Sequence, residues 1–342
     1  MQRTQAWTST IAITAAIAMV AMAGCGGSGD GGASDDRSPS SLLSWVPSSV
    51  GASPGPVIFA DLDGVRDGKS ASSFDDDITL LDERSRRGPI MPLAFSGSIL
   101  DPEFAEFAGF DTRNISAWAE AGSLPDVITV LVGRFDAGKI EKALRSSPGG
   151  EALDVQRDGD TVVMALGEEG QSDFAAASPI RRTGGALVVG LVGDVLVWGS
   201  TEARVRAALA AHTDGTSLAD AEATAAVAAA LTDASVMSGG VATPTGGESW
   251  EMVGFGESYS ADLTTVTIVF RYASPAAAAD AVGAFTAHVA DDTSVVNEQP
   301  WAERLTLQSA VTDGNLMVAT LTSQGAAVVL RNLSQLDNLL VF

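Results

Sequence analysis

Residues 127–166, VITVLVGRFDAGKIEKALRSSPGGEALDVQRDGDTVVMAL, carry the reading on which the fold turns. Val127 to Phe135 is a run of β-branched and apolar residues, the composition of a strand. Asp136 follows as a helix cap, and Ile140, Ala143 and Leu144 then share one helical face, with Lys142 and Arg145 near the C-terminal end, where cations suit the dipole. Beyond Gly149-Gly150, Leu153–Arg157 and Thr161–Leu166 meet across Asp158-Gly159, the strongest short-range signal of a β-hairpin. Ala186–Val192 and Val195–Trp198 flank Gly193-Asp194 in the same manner, and Ser200 or Thr201 then caps a helix to His212. Ser217-Leu218-Ala219-Asp220 is a capping box in its aspartate form and opens a helix to about Leu231.

The theme recurs downstream. Thr265–Tyr272 reads as a strand, Ser274-Pro275 as cap and first-turn proline of a helix over 276–289, and Arg304–Ala310 pairs with Leu316–Leu321 across Thr312-Asp313-Gly314-Asn315. VLVGRFDAGKIEKAL matches TIVFRYASPAAAADAV, and RDGDTVVMAL matches TDGNLMVATL. Two diverged strand–helix–hairpin–helix units account for both matches, with 213–258, including SGGVATPTGGES, as the insert between them. This order lacks the strict strand–helix alternation of a parallel sheet. The expected class is therefore α+β, mainly antiparallel sheets with helices packed on one face. Upstream, Leu42–Val46 reads as a helical turn stopped by Pro47, and Val57–Ala60 as a short strand. Residues 61–89 are polar and broken, with no long element expected. Pro102–Phe110 and Asn114–Ala121 have apolar residues at helical spacing behind Asp101 and Asp111, which predicts two short helices. A largely apolar segment over 325–340 closes the chain.

The first 25 residues read as an export signal: one charge at Arg3, an apolar middle from Ile11 to Ala23, then small residues. A helix over that middle would cover about 20 Å, against about 30 Å of hydrocarbon, too short to span a bilayer. Its end, Met22-Ala23-Gly24-Cys25, resembles the lipobox of bacterial prolipoproteins, with Met where Leu is usual. That resemblance implies diacylglyceryl transfer to the Cys25 sulfur, cleavage before Cys25 and acylation of the new amine. An ordinary secretory signal with an incidental cysteine is the competing reading. The following GGSGDGGASDDRSPS favours the anchor, because it reads as a flexible spacer with a reach of about 20 Å. The expected organisation is a signal peptide over 1–24, lipidated Cys25 and tether over 25–40, a first α+β unit with its N-terminal extension over 41–240, and a second over 241–342. The mature part, over 127–231, is similar to repeating modules in uncharacterised envelope lipoproteins of high-GC Gram-positive bacteria. The residues that carry this likeness are Gly133-Arg134-Phe135-Asp136 through Ala143-Leu144, then LVVGLVGDVLVWGS, a short helix and SLAD. It transfers a fold expectation and no catalytic residues.

Composition narrows the function. With 46% apolar and 18% charged residues in 342, the chain can bury a substantial core. Its one cysteine, consumed by the anchor, leaves no thiol for a disulfide, a zinc site or a nucleophile. A net charge of −23 argues against nucleic acid and against electrostatic adhesion to anionic lipid. Asp61, Asp63, Asp67 and Asp75-Asp76-Asp77 crowd carboxylates as Ca²⁺ would require, but the spacing is not that of an EF-hand, and turn-capping on an acidic surface is the simpler reading. His212 and His288, the only histidines, fall in the last turns of predicted helices, where imidazoles suit the dipole. No nucleophile elbow, HExxH, P-loop or strand-linked GxGxxG occurs. Trp198 lies in a strand apolar on both faces, as burial between sheet and helices or the lining of an apolar pocket would require. The expectation is a non-enzymatic protein of the extracytoplasmic face of the cell membrane, held by its lipid. It has no catalytic, cofactor or metal site, and binds a protein or wall component. The alternative is a lipid or apolar-ligand carrier, which requires an internal cavity of several hundred Å³.

Overall fold

Val57–Asp61 (β1) alternates residues between the two faces of a sheet that extends from it in both directions. Among the described residues the sheet has 12 strands, and every pairing is antiparallel. The others are Ile115–Ala121 (β2), Ile128–Gly133 (β3), Asp154–Asp158 (β4), Thr161–Leu166 (β5), Leu187–Val192 (β6), Val195–Gly199 (β7), Ser238–Ala242 (β8), Met252–Tyr259 (β9), Thr264–Arg271 (β10), Leu305–Asp313 (β11) and Leu316–Ser323 (β12). Their order is β11-β12-β10-β9-β8-β1-β2-β3-β7-β6-β5-β4. The computed structural model describes residues 35–51, 55–66, 73–85, 91–95, 98–101, 103–123, 126–244, 246, 248–259, 264–323, 333 and 337–342. The signal segment, Cys25 and nearly all of its spacer, Asp67, and most of 325–340 lie outside them. One compact unit covers Ser34–Phe342, and the predicted boundary at 240 falls inside β8, which joins the strands on either side through its pairing with β1.

The mixed α+β class and the antiparallel sheet are as the sequence predicts. The hairpins form where expected, with Gly159 and Gly193 at φ of +56° and +54°, a conformation that glycine adopts without steric cost. The helices, however, pack on both faces and not on one. On one face lie Pro39–Leu43 (α1), Ser48–Gly51 (α2), Glu202–Asp214 (α7) and Glu222–Asp233 (α8). Leu42, Leu43, Val205, Ala208, Val227 and Leu231 meet Val57, Phe59, Val130, Val188, Val197 and Val241 there. On the other face, Leu62–Val65 (α3), Phe74–Ser85 (α4), Phe104–Ala108 (α5) and Ala137–Ser146 (α6) cover β1–β7, burying Phe104, Ile140 and Leu144 with Trp118, Leu131, Val189 and Trp198. Pro275–Asp291 (α9) covers β9–β12 with Phe285 and Val289 on Phe255, Ile268, Phe270 and Leu321. The physical reason is visible in β6 and β7, where every residue but Val192 is buried: two greasy faces need two layers of cover.

Three sequence expectations are corrected. Asn114–Ala121 is not a helix: Ile115–Ala121 is β2, and its helical spacing is incidental to a strand buried on both sides between β1 and β3. The broken stretch 61–89 contains α4, begun by Ser73 Oγ accepting from Asp76 N at 3.1 Å and by three aspartates in the positive first turn. The insert 213–258 supplies β8 and β9 as well as α8; the glycines of β8 are the places where Phe255 and Val57 approach its backbone too closely for a side chain.

Candidate functional site

The strand-to-helix turn at the end of β3 also shapes two adjoining recesses. Asp136 Oδ1 accepts from Lys139 N at 3.0 Å and fixes the start of α6. Gly109, at the C-terminus of α5, lies so close to α6 that a Cβ there would stand 2.7 Å from the Ile140 Cα. The two helices are therefore in close contact at Gly109. A groove of about 510 Å³ opens between them, lined by Glu106, Asp111, Arg113, Lys139, Lys142 and Ser146. A second of about 460 Å³ adjoins it through Gly109, Asn114 and Lys139 and reaches Arg134 and Asp194. In a chain of net charge −23, this surface balances four cations with four carboxylates.

The donors and acceptors of the groove are mostly committed to structure. Asp111 receives Arg113 through both guanidinium arms, at 3.2 and 2.7 Å, which holds the Arg113 pKa above its ordinary value. Asn114 Oδ1 accepts from Asp111 N, and its amide donates to Arg134 O. Ser146 Oγ donates to Lys142 O at 2.9 Å, which holds it on the helix surface. Such an arrangement can bind a polar, charged partner by shape and ion pairing.

The residues singled out in the sequence are dispersed. His212 stacks on Trp45 at 4.2 Å, and its Nδ1 meets Ser44 Oγ at 2.9 Å. His288 is buried on α9 between the Asp292 carboxylate and Asn338 O, and it ties the C-terminal residues to that helix. Trp198 is buried with Phe95 and Phe110 edge-on at 5.1 and 6.2 Å. The acidic cluster divides into structural tasks. Asp61 caps α3 by accepting from Gly64 N at 3.0 Å, and burial raises its pKa. Asp77, fully buried, holds Arg66 at 2.7 and 3.1 Å and accepts from Thr112 Oγ1 at 2.6 Å; Arg66 also pairs with Asp63 and donates to Ile115 O and Thr112 O. Burial opposes the charge of Arg66, but Asp77 and Asp63 outweigh it and raise its pKa. Among the described residues, no group of three or more His, Cys, Asp or Glu is placed to hold a metal ion.

Among the buried acids that sequence reading missed, two lie in strands. Glu120 on β2 accepts from Leu93 N and Ala94 N at 2.9 Å and from Thr129 Oγ1 at 3.0 Å, and desolvation raises its pKa. Glu257 on β9 is fully buried and receives the Tyr259 hydroxyl at 2.9 Å. A lone acid inside an otherwise apolar strand was the available signal in Ile115–Ala121. Beneath the sheet, the recess lined by Val57, Leu218, Thr224, Val241 and Met252 measures about 20 Å³.

No family model and no curated protein matches this chain. Among solved structures, TP0453 in crystal form III aligns with a TM-score of 0.37 at 7% identity, over 84% of this chain and 98% of that one. TP0453 in crystal form I aligns with a TM-score of 0.39 at 7% identity, over 86% and 97%.

Proposed function

We propose that this is a lipid-anchored protein of the extracytoplasmic face of the cell membrane, with a non-catalytic binding or scaffolding role. The observation that carries the reading is Met22-Ala23-Gly24-Cys25 at the end of an apolar run too short to span a bilayer, with the chain's one cysteine at the expected place. Two further features support it. The spacer after Cys25 leads to a folded body whose first described element begins at Asp35. His212, His288, Asp61 and Asp77 are engaged in stacking, a helix cap and buried pairs. The groove between α5 and α6 is the surface we assign to binding, for a polar partner that offers both charges.

We also infer that the β3–α6–β4–β5 and β10–α9–β11–β12 segments are diverged copies of one unit. Their strand–cap–helix–hairpin order supports this, with β6 and β7 placed between β5 and β3 in the first copy while β12 pairs directly with β10 in the second. The carrier reading requires a continuous apolar void of several hundred Å³, and the recess described beneath the sheet, about 20 Å³, favours the binding role over it. Fractionation tests the anchor: the wild-type chain is expected in the membrane fraction, and a Cys25→Ala variant as an uncleaved precursor of altered mobility. Identical behaviour of the two would overturn the reading. Solvent extraction of the purified protein tests the carrier alternative, and lipid recovered in stoichiometric amount would restore it.

A further inference from the structure

The two ends of the sheet are built differently. β4 closes one end with five residues, three of them charged: Asp154, Arg157 and Asp158. Short, charged edges resist further strand addition. β11 closes the other end with nine residues, LTLQSAVTD, uncharged from Leu305 to Thr312. Gln308, Ser309, Val311, Thr312 and Asp313 are exposed, Val311 by 56%. The bulge between Leu307 and Ser309 leaves 309–313 as a regular ladder. Asp313 faces Leu316 across the two-residue turn Gly314-Asn315, so it forms a hydrogen-bonded pair, as do Val311 with Val318 and Ser309 with Thr320 two and four residues on. The alternation then aims the N–H and C=O of Ala310 and Thr312 away from β12, and among the described residues no strand pairs with them.

We propose that this edge pairs antiparallel with β11 of a second copy of the chain, about a two-fold axis at Val311. In that register Ala310 faces the partner's Thr312, Val311 faces the partner's Val311, and Ser309 faces the partner's Asp313. Three independent features agree on it. The outward-directed residues become the hydrogen-bonded pairs, giving four backbone hydrogen bonds. The odd-numbered side chains of both copies fall on one face, so exposed valine meets valine. The edge's single charge, Asp313, meets a serine and not its own copy. A five-residue pairing buries far less than the ~1,200 Å² of a standard interface, and two acidic bodies repel each other. Association is therefore weak in free solution, strengthens with salt, and becomes populated when both copies are confined to one membrane. That last step alone rests on the anchored reading.

Disulfide trapping tests the pairing in the full chain. A non-hydrogen-bonded cross-strand pair brings Cβ atoms close enough for a disulfide, so Val311→Cys is expected to give a covalent dimer on mild oxidation. Thr306→Cys, on the same strand but outside the register, is expected to stay monomeric. Adding Ala310→Pro to Val311→Cys is expected to abolish the dimer while leaving the melting temperature unchanged, because an edge strand tolerates proline where its N–H faces outward. Equal trapping at 306 and 311, or a dimer that survives Ala310→Pro, would overturn the proposal. The wild-type chain, oxidised alongside, separates the two readings: a wild-type dimer reports a free Cys25 thiol and counts against the anchor, while the Ala310→Pro comparison still decides the edge.

Discussion

Arg66 gathers the acidic stretch around itself, and its removal is the sharpest stability test at the scale of single residues. Asp77 is fully buried, so Arg66→Met leaves a carboxylate without its cation. The expected loss is about 3–5 kcal/mol by urea unfolding, with Arg66→Met/Asp77→Leu recovering much of it. Glu120 gives a pH-dependent prediction. Burial raises its pKa, so over the range above the ordinary carboxylate value the native state keeps a proton that the unfolded chain has released. Stability from this group is present at low pH and falls as pH rises through that range. The unfolding free energy of the wild type relative to Glu120→Gln is therefore expected to decline on going from about pH 4 to pH 7, and a rise would contradict the assignment. Neither group was legible as such in the sequence. Asp75, Asp76 and Asp77 read as one solvated crowd, whereas the helical turn they begin sends Asp77 inward and leaves Asp75 and Asp76 exposed.

Elements were legible where local chemistry decides them. Asp136, Ser274 and the box at Ser217–Asp220 all cap as their sequence predicts, although that box opens a 3₁₀ turn and α8 itself starts at Glu222. The hairpins at 158–161 and 192–195 follow from their glycines. Illegible were the elements decided by distant partners. β2 carries helix-like spacing and becomes a strand because β1 and β3 sit on either side of it; β8 has three glycines and alanines in five residues and is a strand because β1 and β9 complete its ladder. Glycines also set the distance between layers. A Cβ at Gly254 would lie 2.3 Å from Val227 Cγ1 and 2.8 Å from Leu231 Cδ1 of α8, and one at Gly190 would lie 2.7 Å from Leu209 Cδ1 and Val205 Cγ1 of α7. Gly254→Ala is expected to cost about 1–3 kcal/mol by overpacking, read as a lower urea midpoint with an unchanged m-value. Gly314→Ala, in open space, provides a contrast in which only the positive φ of +54° is strained.

At the scale of the whole molecule, the described body is a sheet with helices on both faces, and among its described residues no helix is long and apolar enough to cross a membrane. The antiparallel class was legible from hairpin spacing; the two-sided cover was not, because burial of both strand faces removes the alternation that would have revealed it. Membrane attachment, on our reading, falls to residue 25 alone. With so large a negative charge, the body itself is repelled by anionic lipid, so a chain lacking both residues 1–24 and the acyl groups is expected to leave the membrane fraction at low salt as well as high. Metabolic labelling with an alkyne fatty-acid analogue, followed by mass spectrometry of the N-terminal peptide, tests this most directly. The account predicts a mature chain that begins at Cys25 and carries the label on its thioether-linked glyceride. A labelled culture in which this chain is unmarked, or begins at any other residue, would contradict it.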